Sequence, residues 1–300
     1  RLHEFLCSIR KLRYLCNRHL FFNLNPGLVA TYLMERPLAL LLAIVLAFGA
    51  SQPVTADSRT DSGPSTGFSV FHENGKVGLK DAHGRILIPA AYEAIGWSDG
   101  RLSVIDRVVG YQKEGSWGLI TTSNKVLTTP EYSHLKPGEG SYLIGQKRSL
   151  SQRPSFGVLN TSGKVIIPFI YDALEIANMR VIVMSRTGSR YLFGLTDLSH
   201  KILIPLNYQR IYSLGSLRYG VEDFNGKTAI YSEDGVRLTD FSIDSIAQFE
   251  KDKAVVYENR RQGIMDRNGR MVVEAMYGEV RITPDGSIMV REPHEWYLLR

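Results

Sequence analysis

One pattern, repeated six times after residue 67, restricts this chain more than anything else in it. It is clearest over residues 155–168, Ser-Phe-Gly-Val-Leu-Asn-Thr-Ser-Gly-Lys-Val-Ile-Ile-Pro, followed by Tyr171-Asp172. A glycine recurs at Gly78, Gly118, Gly157, Gly194 and Gly263, with Ala229 in the fifth place, at steps of 40, 39, 37, 35 and 34 residues. Eleven residues further on stand Pro89, Pro168 and Pro205; Pro130 comes one later, and Asp240 and Glu274 are substitutes. Then come Tyr92, Tyr132, Tyr171, Tyr208 and Tyr277, with Ile243 in the fifth copy. Self-similarity at such a period means an array in which each unit buries its apolar face against the next.

Six residues after each repeat position sits Gly84, Asn124, Gly163, His200, Gly235 or Gly269. A short antiparallel hairpin commonly needs one residue of positive φ, which Gly adopts freely and Asn, Asp and His tolerate best. Asp81, Asn160, Asp197 and Asp266 just before the turn are placed to cap their own loops. The flanking apolar runs read as short strands, and proline is expected to stop the second one because it donates nothing to a ladder. A glycine inside the first strand implies the close approach of another group, such as an aromatic ring from the adjacent unit. A third strand is expected at 101–105, 142–144, 181–184, 217–221, 254–257 and 287–290, and a short fourth one at places such as 172–176. Half-units flank the array: residues 68–71 resemble the third strand, and Tyr297 falls in the glycine's register. The fold class that follows is all-β, with six tandem antiparallel β-meander repeats of 34–40 residues. They form a propeller-like ring or, alternatively, an open β-solenoid, and the half-units either share a sheet or cap a stack.

Trp117-Gly118 with Lys125-Val126, Pro130 and Tyr132, and Phe156-Gly157 with residues 163–168 and Tyr171-Asp172, look like the WG repeats of bacterial proteins. The resemblance covers about residues 68–299. Only the second unit has the Trp-Gly pair; Val77, Phe156, Phe193, Thr228 and Gln262 replace the tryptophan elsewhere. The fifth unit also lacks the glycine, the proline and the tyrosine. What the resemblance implies is a β-rich repeat array, often in exported or surface proteins, with no established catalytic activity or shared ligand.

The N-terminus reads as an address. Residues 38–48 are an apolar run of 11 between Met34-Glu35-Arg36-Pro37 and a small-residue exit ending at Ala50 or Ala56. That is the form of a secretory signal helix, and it is shorter than the roughly 20 apolar residues of a membrane span. The expected divisions are 1–33, an upstream extension or a basic cytoplasmic segment; 34–56, a signal peptide or signal anchor; 57–67, a flexible linker; and 68–300, the repeat domain. The expected location is periplasmic or secreted, with an inner-membrane anchor as the alternative and membrane contact only through the signal segment. Of the +6 net charge, residues 1–56 hold +4, from six Lys/Arg against two Asp/Glu. The repeat region is therefore nearly neutral, which argues against nucleic acid as a partner. Cys7 and Cys16 are the only cysteines, so the repeats carry no disulfide framework and no thiolate site.

Signals for catalysis, metals or cofactors are missing. His72, His83, His134, His200 and His294 have no ligand spacing, and no Gly-x-Ser-x-Gly elbow occurs. The reading is a non-catalytic binding or scaffold module of the periplasm or cell envelope, with a protein or a cell-wall glycan as partner and no cofactor. The rival is an envelope glycan hydrolase drawing carboxylates from Asp99, Glu139 and Glu222. Candidate surface residues are Trp97 and Trp296, which lie outside the aromatic register and are expected to be exposed. Arg148 and Arg153, Arg186 and Arg190, and Arg260 and Arg261 follow the third strand of units two, three and five. If equivalent loops line one rim, these arginines make a positive crescent.

Overall fold

A computed structural model describes residues 67–148, 153–292 and 296–299; the apolar run at 38–48 and the linker lie outside them. The described chain is 24 strands in seven consecutive antiparallel sheets, not six. The first sheet holds β1 (Phe68–Glu73), β2 (Lys76–Asp81) and β3 (Ile86–Tyr92); the second holds β4 (Ala94–Gly96), β5 (Val108–Lys113) and β6 (Ser116–Thr121). The third contains β7 (His134–Pro137), β8 (Tyr142–Arg148), β9 (Pro154–Asn160) and β10 (Val165–Tyr171). The fourth contains β11 (Ala173–Ala177), β12 (Arg180–Thr187), β13 (Arg190–Asp197) and β14 (Ile202–Tyr208). β15 (Arg210–Gly215), β16 (Arg218–Glu222) and β17 (Thr228–Ser232) make the fifth. β18 (Ser245–Ile246), β19 (Lys253–Glu258), β20 (Arg261–Asp266) and β21 (Met271–Tyr277) make the sixth. The seventh is β22 (Glu279–Ile282), β23 (Ile288–Arg291) and β24 (Trp296–Leu299).

A full sheet is a meander of strands a, b, c and d, and the sequence unit is out of phase with it. The repeat glycine lies in strand c; the a and b strands that close each unit belong to the next sheet. Six units plus two half-units therefore make seven sheets. The half-units do not share one: β1 is strand b of the first sheet and β24 is strand c of the seventh. Every strand pairing is antiparallel within one local meander. In the second and fifth sheets strand d is reduced to bridges, Ile120 to Val126 and Trp117 to Tyr132, and Tyr231 to Arg237 and Thr228 to Ile243.

Two local expectations are corrected. Residues 101–105 are not a strand; β5 begins at Val108 instead. The apolar 101–105 run packs Leu102, Val104 and Ile105 beside the cores on either side of the second sheet. Proline does not end its strand either. Pro89, Pro168 and Pro205 lie inside β3, β10 and β14, at a bulge. Leu79 faces Ile88 and Val77 faces Tyr92, so strand d spends four residues where strand c spends two. Proline fits there because the bulge leaves its missing N–H without a ladder partner.

The bulge explains the repeat glycine. A Cβ on Gly157 would stand 2.7 Å from the carbonyl of Ile167 and 2.9 Å from the Phe169 ring. The carbonyls of Ile88, Thr128, Ile204 and Val273 make the same approach, at 2.7, 2.9, 2.9 and 2.5 Å, to Gly78, Gly118, Gly194 and Gly263. In the fifth sheet Ala229 takes this position and is fully buried at the joint of the fourth and fifth sheets. The turn residues are all left-handed, with φ of 78° at Gly84, 63° at Asn124, 83° at Gly163, 66° at His200, 80° at Gly235 and 83° at Gly269. The four turn caps form as expected; Asn160 Oδ1, for example, accepts from the amides of Ser162 and Lys164 at 3.1 and 2.9 Å.

The core is divided into six clusters, one at each joint between successive sheets. The residue after the repeat position points to the following sheet and the next residue to the preceding one. Thus Leu119 joins the second sheet to the third, while Ile120 joins it to the first. Tyrosine hydroxyls lock some joints: Tyr171 Oη meets His200 Nε2 at 2.7 Å, and Tyr219 Oη donates to the Ala177 carbonyl at 2.7 Å. Burial pushes the Tyr219 hydroxyl up to about 12, so it remains a donor at neutral pH.

Candidate functional site

In an antiparallel meander the b–c hairpins and the d-to-a connections fall at one end of every sheet. This end, the hairpin rim, is built by carboxylates that follow the motif tyrosine or its substitute. Glu93 accepts from the amides of Glu114 and Gly115, both at 2.9 Å, and so holds the next sheet's b–c turn. Asp172 Oδ2 accepts from the Arg186 amide at 2.6 Å, and Asp244 Oδ2 from the Asn259 amide at 2.7 Å. The Gly115 and Glu114 amides hold the Glu93 carboxyl below its ordinary range, and the Lys227 ammonium does so for Asp244.

Across the third, fourth and fifth sheets this rim carries arginines and aromatic rings in one connected track. A shallow cavity of about 290 Å³ is bounded by Arg153, Phe169, Ile170, Tyr171 and Asp172. Asp172 leads to the next hairpin through its bond to the Arg186 amide. There the Arg186 guanidinium lies 5.8 Å from the Tyr191 ring centre, and its Nε donates to the Gly188 carbonyl at 2.9 Å. Arg190 crosses to the fifth sheet and covers the Phe224 ring at 5.2 Å. Phe224 sits on a rigid turn, because Asp223 Oδ1 accepts from the amides of Asn225 and Lys227, both at 2.9 Å. Tyr191 is 50% exposed and Phe224 46%, although both are large, mainly apolar groups on hydrogen-bonded hairpins. Behind the cavity, Phe169 stacks on Tyr132 at 5.5 Å, and Lys147 lies over both rings while pairing with Glu131 at 2.9 Å.

The structure brings Arg153, Arg186 and Arg190 together on this rim. Arg148 ends β8 opposite Pro154, and Trp296 opens β24 opposite Arg291; their side chains lie outside the described residues. Arg260 and Arg261 belong to the equivalent hairpin of the sixth sheet, where Glu258 pairs across the ladder with Arg261. Trp97 is a correction: it is 1% exposed, buried with Trp117 and Tyr132 at the joint of the second and third sheets. Its Nε1 donates to the Ser103 carbonyl and hydroxyl, both at 2.9 Å, and its ring lies against Gly110, where a Cβ would come within 3.2 Å. Tyr191 and Phe224 escaped the sequence reading. The signal for Phe224 was an apolar residue at the tip of Asp-Phe-Asn-Gly-Lys, a turn otherwise made of polar residues.

Asp99, Glu139 and Glu222 are not gathered into one cleft. Asp99 pairs with Arg101 at 2.5 Å, and Glu139 accepts from the Met179 amide at 2.9 Å, both in a–b connections. Glu222 lies at the opposite end of its sheet, at the start of the b–c hairpin.

A family model described as a WG containing repeat matches residues 156–176. No curated protein sequence matches the chain. Solved structures similar to it include a eukaryotic initiation factor, at 14% identity over 74% of this chain and 77% of that one with a TM-score of 0.35. Another is a putative TolB from Agrobacterium tumefaciens, at 14% identity over 63% and 83% with a TM-score of 0.28. A WD40 beta propeller domain is a third, at 12% identity over 63% and 73% with a TM-score of 0.28. The matched segment runs from the aromatic-glycine pair of β9 through the proline bulge and Tyr171-Asp172 to the next sheet's first strand, so residues 156–176 of this chain are similar to one WG containing repeat.

Proposed function

We propose that the repeat array is a non-catalytic binding or scaffold module, exported to the periplasm or cell envelope, that holds a protein partner on its hairpin rim. The observation that carries this reading is the Arg186, Tyr191, Arg190 and Phe224 patch. Arginine and exposed aromatics are the residues that concentrate in protein interfaces, and rigid hairpins present them with little ordering left to do. The cavity beside them, at about 290 Å³, lies at the small end of ligand pockets and suits one side chain better than a cofactor. Export is supported by the apolar run at 38–48 and its small-residue exit.

The test is affinity capture from periplasmic extract with the full chain, comparing wild type with Phe224→Ala and Arg190→Gln. A protein retained by the wild type and lost with both variants is the expected result. Equal retention by all three removes the rim as the binding surface. Fractionation of the tagged chain tests export, and accumulation in the cytoplasm at full length contradicts it. A second reading, a cell-wall glycan, draws on the same cavity, since one sugar ring is also of its size. Sacculi that retain the chain through Phe169 and Arg153 would favour it.

A further inference from the structure

We infer that the rim recognises its partner through an extended acidic segment, with carboxylates on Arg153, Arg186 and Arg190 and an apolar side chain against Phe224. This rests on the rim reading above and names the chemistry of that site. The decisive contrast is among the rim's own cations. Lys147 pairs with Glu131 at 2.9 Å, Lys227 with Asp244 at 2.5 Å and Arg291 with Glu279 at 3.4 Å. Arg153, Arg186 and Arg190 are exposed, and among the described residues none of the three has a carboxylate within ion-pair distance. The rim pairs several of its cations and leaves three guanidinium groups in succession along this track without a carboxylate partner among the described residues.

Two of these arginines are also held in place. Arg186 is fixed by the Tyr191 ring and the Gly188 carbonyl, and Arg190 by the Phe224 ring. A guanidinium laid on a ring keeps its N–H edge free, and that edge matches a carboxylate in bidentate fashion. The ordering cost is met before the partner arrives. Spacing favours a peptide. Adjacent packed sheets lie about 10 Å apart, and a polyproline-II segment returns to the same face every three residues, after ~9.3 Å. Acidic residues at i and i+3 would therefore reach Arg153 on the third sheet and the hairpin of the fourth, where Arg186 and Arg190 share the second carboxylate, leaving a following apolar residue for Phe224. A sugar is less well suited, because the ring faces on which it would stack are partly taken by Arg186 and Arg190.

The experiment is fluorescence anisotropy on the full chain. The probe is a labelled nine-residue proline-rich peptide carrying Glu-x-x-Glu and then Leu; its control carries Gln-x-x-Gln, and an oligogalacturonate serves as the carbohydrate comparison. The expected result is that the Glu peptide binds at least about tenfold tighter than the Gln peptide, with the gap narrowing as salt rises. Arg186→Gln and Arg190→Gln should each weaken the Glu peptide about tenfold, while Arg260→Gln leaves it unchanged. Unchanged thermal melting of each variant separates lost binding from lost folding. Equal binding of the Glu and Gln peptides overturns the inference. So does tighter binding of the oligogalacturonate, which assigns the rim to an anionic glycan. If no probe binds while protein capture still depends on Phe224, the acidic-segment inference fails and the rim reading stands. If capture is also independent of Phe224, both fail.

Discussion

Gly157 sits under a carbonyl ten residues further along the chain, and that one contact fixes what the position will accept. A Cβ there, 2.7 Å from the Ile167 oxygen, forces the β10 bulge to move. Gly157→Ala is expected to cost about 1–3 kcal/mol, the range for overpacking, read as a fall in the urea midpoint. Ala229→Gly, at a position where the side chain is fully buried, is expected to lose about 0.5–1 kcal/mol and gain nothing. The turn glycines differ by location in a similar way. At Gly84, in the first sheet, a Cβ meets nothing, whereas at Gly235 it runs into the Leu203 carbonyl of the preceding sheet. Gly84→Ala should therefore cost only the left-handed penalty of about 1–2 kcal/mol, and Gly235→Ala clearly more in the same assay. Positive φ at the turns and the caps from Asp81, Asn160, Asp197 and Asp266 were legible in the sequence because they are local chemistry. The carbonyl over the glycine was not, because it depends on a bulge that no spacing reveals.

At the scale of the element, the carboxylate after the motif tyrosine does more than continue the repeat. Glu93 and Asp244 each tie the b–c hairpin of the following sheet to the connection that leads into it. Both carboxyls titrate below their ordinary values when folded, so the folded chain binds fewer protons than the unfolded one. Their stabilisation is fully present above about pH 4, the unfolded carboxylate range, and is lost as pH falls through the depressed folded values. Glu93→Gln with Asp244→Asn should shallow the acid side of a stability–pH curve and leave its slope above pH 6 unchanged, measured by urea midpoints at each pH. The existence of most strands could be read from alternation. Their pairing could not, since the unit boundary falls inside a sheet. Trp97 misled for a related reason: its long a–b connection breaks the register, and the lapse looked like exposure when it marks a buried anchor. Of the candidate site, the arginines were legible by their place after strand b; their aromatic partners come from a neighbouring strand and a neighbouring sheet.

For the whole array, the core is six separate joints, so stability is a sum of nearest-neighbour terms more than one shared interior. Leu119→Ala, at the joint of the second and third sheets, is expected to cost about 2–5 kcal/mol. Hydrogen exchange should accelerate most in β4–β10 and least in β19–β23; uniform acceleration would show a single cooperative core. The upstream face of the first sheet is finished differently from the others. Where later sheets bury Ile120, Leu159, Thr196, Tyr231 and Met265, the first places Lys80, its ammonium 4.4 Å above the Phe71 ring. On that face of the first sheet a cation stands where the later sheets carry an apolar or hydroxyl side chain.

The offset between unit and sheet also governs how such a chain can change length. A unit gained or lost in register is cut within the b–c hairpin, the tight turn in the middle of a sheet. The strands a and b of one copy then meet the strands c and d of another, and the new neighbours make one complete meander. Duplication or deletion alters the array by whole sheets and leaves no half-built edge among its internal members, so the number of sheets is free to drift while every joint keeps its form.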